Sequence, residues 1–257
     1  MQDISINYKL RDFYGEYYDG ESDWRRLSAI DKVNHIAALC SQYPHKTILE
    51  IGSGEGSILK RLSDLQFGDA LYSIEISTNA VETIRQRNIK SLVECRLFDG
   101  HSIPYEDKKF DLAVLSHVVE HLEYPRRMLY EAGRVATYVF VEVPLEDNRR
   151  SKKDFVSDKV GHINFYSPRT IRKLVQTCGF EVLAQTVTNA SCRIFRFQYG
   201  KRGVIRYLTK QLVLRAMPGL ASSLWTYNCS LLCTGGGTPW PPAPTDLEKR
   251  RMEPDVS

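Results

Sequence analysis

The chain has 257 residues, of which 42% are hydrophobic and 26% charged, as is typical of a globular protein with one large domain or two small ones. The net charge of +4 is too small to indicate a DNA partner, and no apolar run approaches the roughly 20 residues of a membrane span. The polar, aromatic N-terminus lacks the basic start and apolar run of a secretory signal, which favours a cytoplasmic location.

Residues 1–20 contain five aromatic side chains among polar neighbours, which favours an arm or lid beside a bound molecule. Apolar residues at helical spacing predict a helix from about Asp23 to Ser41, and Pro44 blocks its continuation. Residues 1–45 are therefore expected to form an N-terminal arm and helix on the acceptor side of a domain.

Strand-like and helical patterns alternate after this helix. The strand-like runs are TILEI, LYSIEI, SLVECRLF, FDLAVLS, TYVFVEV, FEVLAQTV and YNCSLLC. A helix between the fifth and sixth runs is marked by Ser167 at its cap, Pro168 in its first turn and Gly179 after its end. Such alternation predicts a parallel sheet covered on both faces, here over residues 46–236.

The positive charge is concentrated late in the chain. Seven basic residues and no acidic residue lie between Val182 and Thr245, and about 190–225 is expected to be a basic insertion. Arg202, Arg206 and Lys210 share one face of a predicted helix. This helix either contacts an anionic membrane at the inner face, or covers a sheet edge or a homodimer contact.

Two further expectations concern composition. Residues 237–257 begin with a Gly- and Pro-rich run and are expected to be disordered. The six cysteines form no C-x-x-C pair, so we expect buried, reduced thiols rather than a metal site.

The strongest chemical signal is LEIGSGEG, residues 49–56, which follows a predicted strand and precedes a helix. Gly52, Gly54 and Gly56 let the backbone turn tightly and approach a ligand. Their G-x-G-x-G spacing differs from the G-x-G-x-x-G that binds a dinucleotide pyrophosphate. Glu50 and Glu55 make the loop acidic, which suits an ammonium group better than a phosphate.

Two more carboxylates lie at strand ends. Glu75 ends the second strand, where a carboxylate can accept hydrogen bonds from ribose hydroxyls, and Asp99 ends the third, where it can accept the amine of adenine. Structural alternatives exist for both: Glu75 could cap a helix that starts at Ser77, and Asp99 could form an Asx turn with Gly100. Because both lie at the same sheet edge as the glycine loop, the set predicts an adenosine with a cationic extension.

These motifs resemble those of the class I S-adenosylmethionine-dependent methyltransferases. LEIGSGEG resembles their first motif, IEIS the second, LFDG the third and FDLAVLSHVVEHL the fourth, over about residues 46–188. The resemblance implies a Rossmann-like, doubly wound, seven-stranded α/β sheet, mostly parallel with an antiparallel last strand and with helices on both faces. It also implies S-adenosylmethionine as cofactor, with no metal.

The resemblance assigns roles to particular residues. The glycines line the methionine part of the cofactor and Glu50 holds the same end, while Glu75 takes the ribose and Asp99 the adenine. Ser116 and His117 face the methionine moiety or the acceptor. The implied cofactor-binding set is Glu50, Gly52, Ser53, Gly54, Gly56, Glu75, Ile76, Asp99, Gly100, Ser116 and His117.

Methyl transfer from a sulfonium depends largely on positioning, but a hydroxyl acceptor also needs a base within reach. Three histidines are candidates for this base, His117, His121 and His162, and the alternative for each is capping or packing. Glu142, which ends the fifth strand, either faces the site or pairs with an arginine.

The sequence thus favours methyl transfer to a small-molecule acceptor, such as a hydroxyl of a sugar, quinone or natural-product intermediate. It leaves open N-methylation, RNA-directed methylation and a catalytically silent binding subunit, as well as a lipid-linked acceptor and a homodimer. A nicotinamide dehydrogenase is disfavoured, because the Tyr-x-x-x-Lys pair of Tyr105 and Lys109 falls in a predicted turn.

Overall fold

The computed structural model describes residues 23–149 and 161–236. The strands are β1 Thr47–Ile51, β2 Ala70–Glu75, β3 Leu92–Leu97, β4 Phe110–Ser116, β5 Ala136–Pro144, β6 Phe180–Thr188 and β7 Asn228–Gly235. The helices are α1 Asp23–Cys40, α2 Ser57–Asp64, α3 Thr78–Gln86, α4 Pro125–Val135, α5 Pro168–Gln176, α6 Cys192–Tyr199, α7 Arg202–Ala216 and α8 Pro218–Leu224, with a 3₁₀ helix at Val119–His121.

The seven strands form one sheet in the order β3-β2-β1-β4-β5-β7-β6. Neighbouring strands from β3 to β5 are parallel, whereas β7 runs antiparallel to both β5 and β6. The predicted fold class is therefore confirmed. The strand order reverses between β1 and β4, and ligands of open α/β sheets bind in the crevice at such a reversal, beyond the carboxyl ends of the strands.

Side chains that alternate along the strands build a core on each face of the sheet. Ile48 lies in one core with residues of α1, α2 and α3, whereas its neighbour Leu49 lies in the other core with residues of α4 and α5. Val33 and Ile36 are fully buried, so α1 belongs to the same core as the sheet.

The elements agree with the sequence prediction to within a few residues. The predicted α5 helix has a capping box, in which Ser167 and Thr170 bind each other's backbone amides. The 3₁₀ helix at 119–121 was not predicted, because three residues are too few to show a helical period. The predicted insertion at 190–225 consists of three helices, α6, α7 and α8.

All six cysteines are free, and five of them are buried, as predicted; Cys192 is half-buried. In the described ranges no helix is long and apolar enough to cross a membrane. The N-terminal arm and the C-terminal tail lie outside the described residues.

Candidate active site

The glycine loop presents one buried acid to the crevice. Glu50 is 2% exposed, and its Oε2 atom has no hydrogen-bond partner among the described residues. Burial raises the pKa of Glu50 to about 8, although the charge of Lys32 acts in the opposite direction. The second acid of the loop, Glu55, pairs instead with Arg87. Of the two loop acids, Glu50 therefore keeps a carboxylate oxygen available for a cation.

The loop needs glycine for steric reasons. Gly52 has a φ of +69°, and a β-carbon there would lie 2.8 Å from a methyl group of Val118. The hydroxyl of Ser53 lies 2.5 Å from that of Ser73 on β2. Gly54 and Gly56 also have positive φ angles.

Glu75 ties the glycine loop to the end of β2. Its carboxylate accepts hydrogen bonds from the backbone amides of Gly54 at 2.8 Å, Ile76 at 2.8 Å and Ser77 at 3.2 Å. Burial raises its pKa, and these three amides oppose that shift. The capping alternative is thus present in the structure. A carboxylate has about four acceptor positions, so ribose binding remains chemically available.

Asp99 follows β3, whose neighbour in the sheet is β2. Its Oδ1 accepts from the amides of His101 and Ser102, both at 2.7 Å, and Gly100 between them has a φ of +78°. The predicted turn alternative is therefore also observed. The exposed Asp99 nonetheless lies beside Glu75, because the Phe98 amide donates to the Glu75 carbonyl at 3.0 Å.

A second group of polar residues converges on Glu142, which is fully buried at the end of β5. Its Oε2 lies 2.6 Å from His35 Nδ1 and accepts from Ser230 at 2.6 Å. Its Oε1 lies 3.4 Å from both His117 Nε2 and the Ser116 hydroxyl. Glu142 therefore faces the site and binds histidines rather than the arginine considered in the sequence analysis.

The protonation states in this group follow from burial and pairing. Burial alone would raise the pKa of Glu142, but its close contact with His117 and its hydrogen bond with His35 outweigh burial and lower the pKa. Burial, helped by the charge of Lys32, lowers the pKa of His117 to about 4. His117 also has a φ of +58°, and such strain in a non-glycine residue is typical of functional sites.

Glu120, His121 and His162 form a third group beside the second. Glu120 and His121 belong to the 3₁₀ helix after β4, and His162 comes from the loop before α5. The rings of His121 and His162 meet edge to face with centroids 4.7 Å apart. Burial raises the pKa of Glu120 to about 8. The structure thus brings all three predicted histidines, His117 included, to the carboxyl end of β4.

Sequence reasoning missed two residues of the site, Lys32 and His35, both on α1. Burial lowers the pKa of Lys32, and its charge interacts with Glu142, Glu120 and Glu50. In the sequence these two residues appear only as polar positions next to the apolar stripe of α1. The stripe does not indicate what they contact, because their partners come from distant strands.

The family of this chain follows from its similarity to known proteins. A family model described as a methyltransferase domain matches residues 22–185, which is well over half of the chain. The chain belongs to this methyltransferase family.

The chain is also similar to individual proteins and, in its fold, to solved structures. An uncharacterised protein of Methanocaldococcus jannaschii is 26% identical over 188 residues, which cover 69% of this methyltransferase and 83% of the relative. A mitochondrial ubiquinone biosynthesis O-methyltransferase of Candida albicans is 28% identical over 90 residues. These residues cover 33% of this chain and 27% of the Candida protein. The fold is similar to that of coclaurine N-methyltransferase, with a TM-score of 0.62 at 11% identity over 91% of this chain and 84% of the other.

The predicted enzyme class and cofactor are confirmed: this is an S-adenosylmethionine-dependent methyltransferase. The residues present fit that cofactor. Glu50 offers a buried, unpartnered carboxylate oxygen of the kind that binds an ammonium group. Gly52 carries no side chain that could extend over the expected methionine site, and a β-carbon there would lie 2.8 Å from a methyl group of Val118.

Proposed function

We propose that this methyltransferase transfers the methyl group to a hydroxyl of a small-molecule acceptor, such as a sugar, a quinone or a natural-product intermediate. The observation that carries the proposal is the pair of His117 and Glu142 at the carboxyl end of β4 and β5, 3.4 Å apart. A hydroxyl acceptor needs a base, and His117 is neutral at pH 7 because its pKa is lowered to about 4. Glu142 orients the ring and stabilises the charge that it gains with the proton.

The cofactor supplies an activated methyl group, and the chain's residues supply position and proton transfer. In the proposed arrangement Glu50 pairs with the ammonium group, Glu75 with the ribose and Asp99 with the adenine. The acceptor oxygen then approaches from the side of His117 and His162. The arm at residues 1–20 is proposed to close over the acceptor; it lies outside the described residues.

The cofactor assignment is tested by calorimetry with S-adenosylmethionine. Glu75→Gln keeps the size of the side chain but removes its charge, and we expect a loss of about 1.5–3 kcal/mol, roughly tenfold to 150-fold in Kd. Glu181→Gln, an exposed acid on β6, is the matched control and should bind normally. If Glu75→Gln binds S-adenosylmethionine as tightly as wild type, the assignment of Glu75 to the ribose is wrong.

The acceptor class is tested with isotopically labelled cofactor and a metabolite panel that pairs each hydroxyl compound with its amine analogue. We expect label in hydroxyl compounds, and a loss of about 10²–10⁴ in kcat in His117→Asn that exceeds any loss of cofactor affinity measured by calorimetry on the same variant. Label in amines alone would assign N-methylation instead. Cofactor binding without turnover on any acceptor would assign the silent-subunit alternative.

We also propose that α7 brings the enzyme to an anionic membrane surface and thereby to a lipid-linked acceptor. Arg206 and Lys210 lie over aromatic rings of the protein, whereas Ile205, Leu208 and Leu212 are 69%, 57% and 68% exposed on the outer side. An exposed apolar stripe in a segment without acidic residues suits an anionic bilayer.

Co-sedimentation with anionic vesicles tests this contact. Wild type should sediment in a salt-sensitive manner, and the double variant Leu208→Glu, Leu212→Glu should not. Leu65→Glu, at an exposed leucine after α2, is the control and should sediment like wild type. A wild type that stays in the supernatant refutes the contact, and a concentration-dependent dimer lost in the double variant would assign the stripe to a homodimer.

A further inference from the structure

One buried carboxylate and two histidines converge at the end of β4. Glu120, His121 and His162 each offer one ligand atom, and these atoms all lie within 4.8 Å of one another. We propose that the three side chains bind a divalent first-row transition-metal ion. Two imidazoles and one carboxylate form a set that suits Zn²⁺ in a catalytic site and disfavours Mg²⁺ or Ca²⁺, which prefer oxygen ligands alone.

The environment of Glu120 supports an ion. This side chain is fully buried, and neither of its carboxylate oxygens has a hydrogen-bond partner in the part of the chain that the structure describes. The nearby His117 Nδ1 lies 3.4 Å from Oε1. A buried carboxylate without hydrogen bonds is costly, and buried charges in proteins are either paired or coordinate metals. A metal ion would supply the missing interactions.

The two histidines are oriented as metal ligands usually are. Nδ1 of His162 lies 2.6 Å from the Glu146 carboxylate, and Nδ1 of His121 lies 3.1 Å from the Gly161 carbonyl oxygen. When Nδ1–H donates to such an acceptor, the neutral ring carries its lone pair on Nε2. A carboxylate or carbonyl behind each histidine is the usual support for a metal-binding imidazole.

The backbone holds the loop that carries His162 against the 3₁₀ helix. The amides of Ile163 and Asn164 both donate to the Glu120 carbonyl at 3.0 Å, and the Asn164 side chain donates to the Leu122 carbonyl at 2.7 Å. The spacing of the three ligands is therefore fixed by direct hydrogen bonds, as a precise site requires.

The role of the ion rests on the proposed function. Three protein ligands leave coordination positions open, and the cluster follows β4 next to His117. The acceptor hydroxyl would bind there, which lowers its pKa. Its proton passes to His117, the oxygen forms the new bond to the methyl carbon, and the bond from that carbon to sulfur breaks. This departs from the expectation of no metal, which followed from the family resemblance and from the absence of a C-x-x-C pair.

Metal binding is measured directly on tag-free, full-length protein stripped with a chelator. Titration with Co²⁺ should give one equivalent of a visible d–d spectrum without a thiolate charge-transfer band, and Zn²⁺ should displace it. We expect binding more than about 100-fold weaker in Glu120→Gln and His162→Gln, and about 10- to 100-fold weaker in Glu146→Gln. His45→Gln, whose ring stacks on Phe67 outside the cluster, should bind like wild type.

Calorimetry with S-adenosylmethionine on the same preparations separates the outcomes. Ligand variants that still bind the cofactor but have lost the metal are folded and support the site. Stoichiometric Co²⁺ uptake by a wild type that does not bind the cofactor would refute the proposed function and leave the metal site standing. Absence of saturable uptake by wild type, or uptake undiminished in both ligand variants, overturns the metal site.

Discussion

Buried acids at the carboxyl edge of the sheet have pKa values that are shifted in opposite directions. Glu50 and Glu142 are both acids at strand ends, yet burial raises the pKa of Glu50 to about 8, whereas partners hold that of Glu142 low. The difference follows from hydrogen bonding: Glu142 has two histidines and two serines around it, and one oxygen of Glu50 has no partner among the described residues. The two acids are therefore suited to different tasks.

The raised pKa of Glu50 predicts that a proton is released when the cofactor binds. Because its pKa is about 8 in the free enzyme, it is mostly protonated at pH 7, and an ammonium partner would lower that pKa. Affinity for S-adenosylmethionine should therefore increase as the pH rises from 6 towards 8. Calorimetry in buffers of different ionisation enthalpy should detect the released proton, and Glu50→Gln should abolish the release. A proton count that is unchanged in this variant would place the ammonium elsewhere.

The raised pKa of His35 predicts that the free energy of unfolding depends on pH. Burial opposes its charged form, but the hydrogen bond to Glu142 prevails and raises its pKa above the usual 6.5. A raised folded-state pKa stabilises the fold below the unfolded value, and this contribution is lost as the pH rises through the folded value. His35→Gln should therefore cost about 1.5–3 kcal/mol of unfolding free energy at pH 6 and less at pH 9.

Chemical denaturation at several pH values measures this effect. Ser230→Ala is the control, because it removes another hydrogen bond to Glu142 without a titrating group, and its cost should not vary in the same way. A difference between wild type and His35→Gln that stays constant from pH 6 to 9 would contradict the assigned coupling.

At the scale of elements, α5 and α6 begin with the same residue type in different roles. Ser167 accepts a hydrogen bond from the Thr170 amide and completes a capping box, whereas Ser191 makes no side-chain capping bond. The capping box of Ser167 stabilises the start of α5, whose buried residues Ile171 and Val175 belong to the core of the sheet. The orientation of α5 in turn fixes the end of the loop that carries His162.

These two serines give a matched pair of substitutions. Ser167→Ala should lower the free energy of unfolding by about 1 kcal/mol, because an N-cap hydrogen bond is lost. Ser191→Ala should change it by less than about 0.5 kcal/mol. If urea denaturation shows equal losses of unfolding free energy in the two variants, the capping hydrogen bond of Ser167 adds no stability to α5.

At the scale of the whole molecule, the predicted cofactor contacts come from four separate stretches of chain, after β1, β2, β3 and β4. A ligand that bridges them should bind the folded state only, so it stabilises the whole domain rather than one loop. The three ligands of the proposed metal cluster come from the 3₁₀ helix after β4 and from the loop before α5, so none of them belongs to the loops after β1, β2 or β3.

S-adenosylmethionine at 100 times its Kd should stabilise the enzyme by about 2.7 kcal/mol, which corresponds to a rise in Tm of about 5–10 °C for a chain of this size. EDTA should leave this rise intact, because the predicted cofactor ligands do not include the metal cluster. Glu75→Gln should show a smaller rise at the same ligand concentration. A rise that disappears with EDTA would mean that the cofactor binds through the metal.

The order and type of the strands, the glycine loop and the acids at the strand ends could all be predicted from the sequence alone. These features are local: a strand shows its buried residues within five to nine positions, and the carboxyl ends of parallel strands meet at one edge whatever the helices do. The family motifs added the cofactor, which the family match then confirmed.

Which polar side chains contact each other at the carboxyl edge of the sheet depends on the tertiary structure. His35 and Glu142 are 107 residues apart in sequence, and His162 reaches Glu120 from a loop 42 positions later, so no spacing rule could pair them. In the structure Glu55 pairs with Arg87, whereas Oε2 of Glu50 has no hydrogen-bond partner among the described residues, and the acidity of the loop did not indicate this difference. Long-range pairing depends on the packing of α1 and of the loop before α5 against the sheet, and that packing is a property of the whole fold.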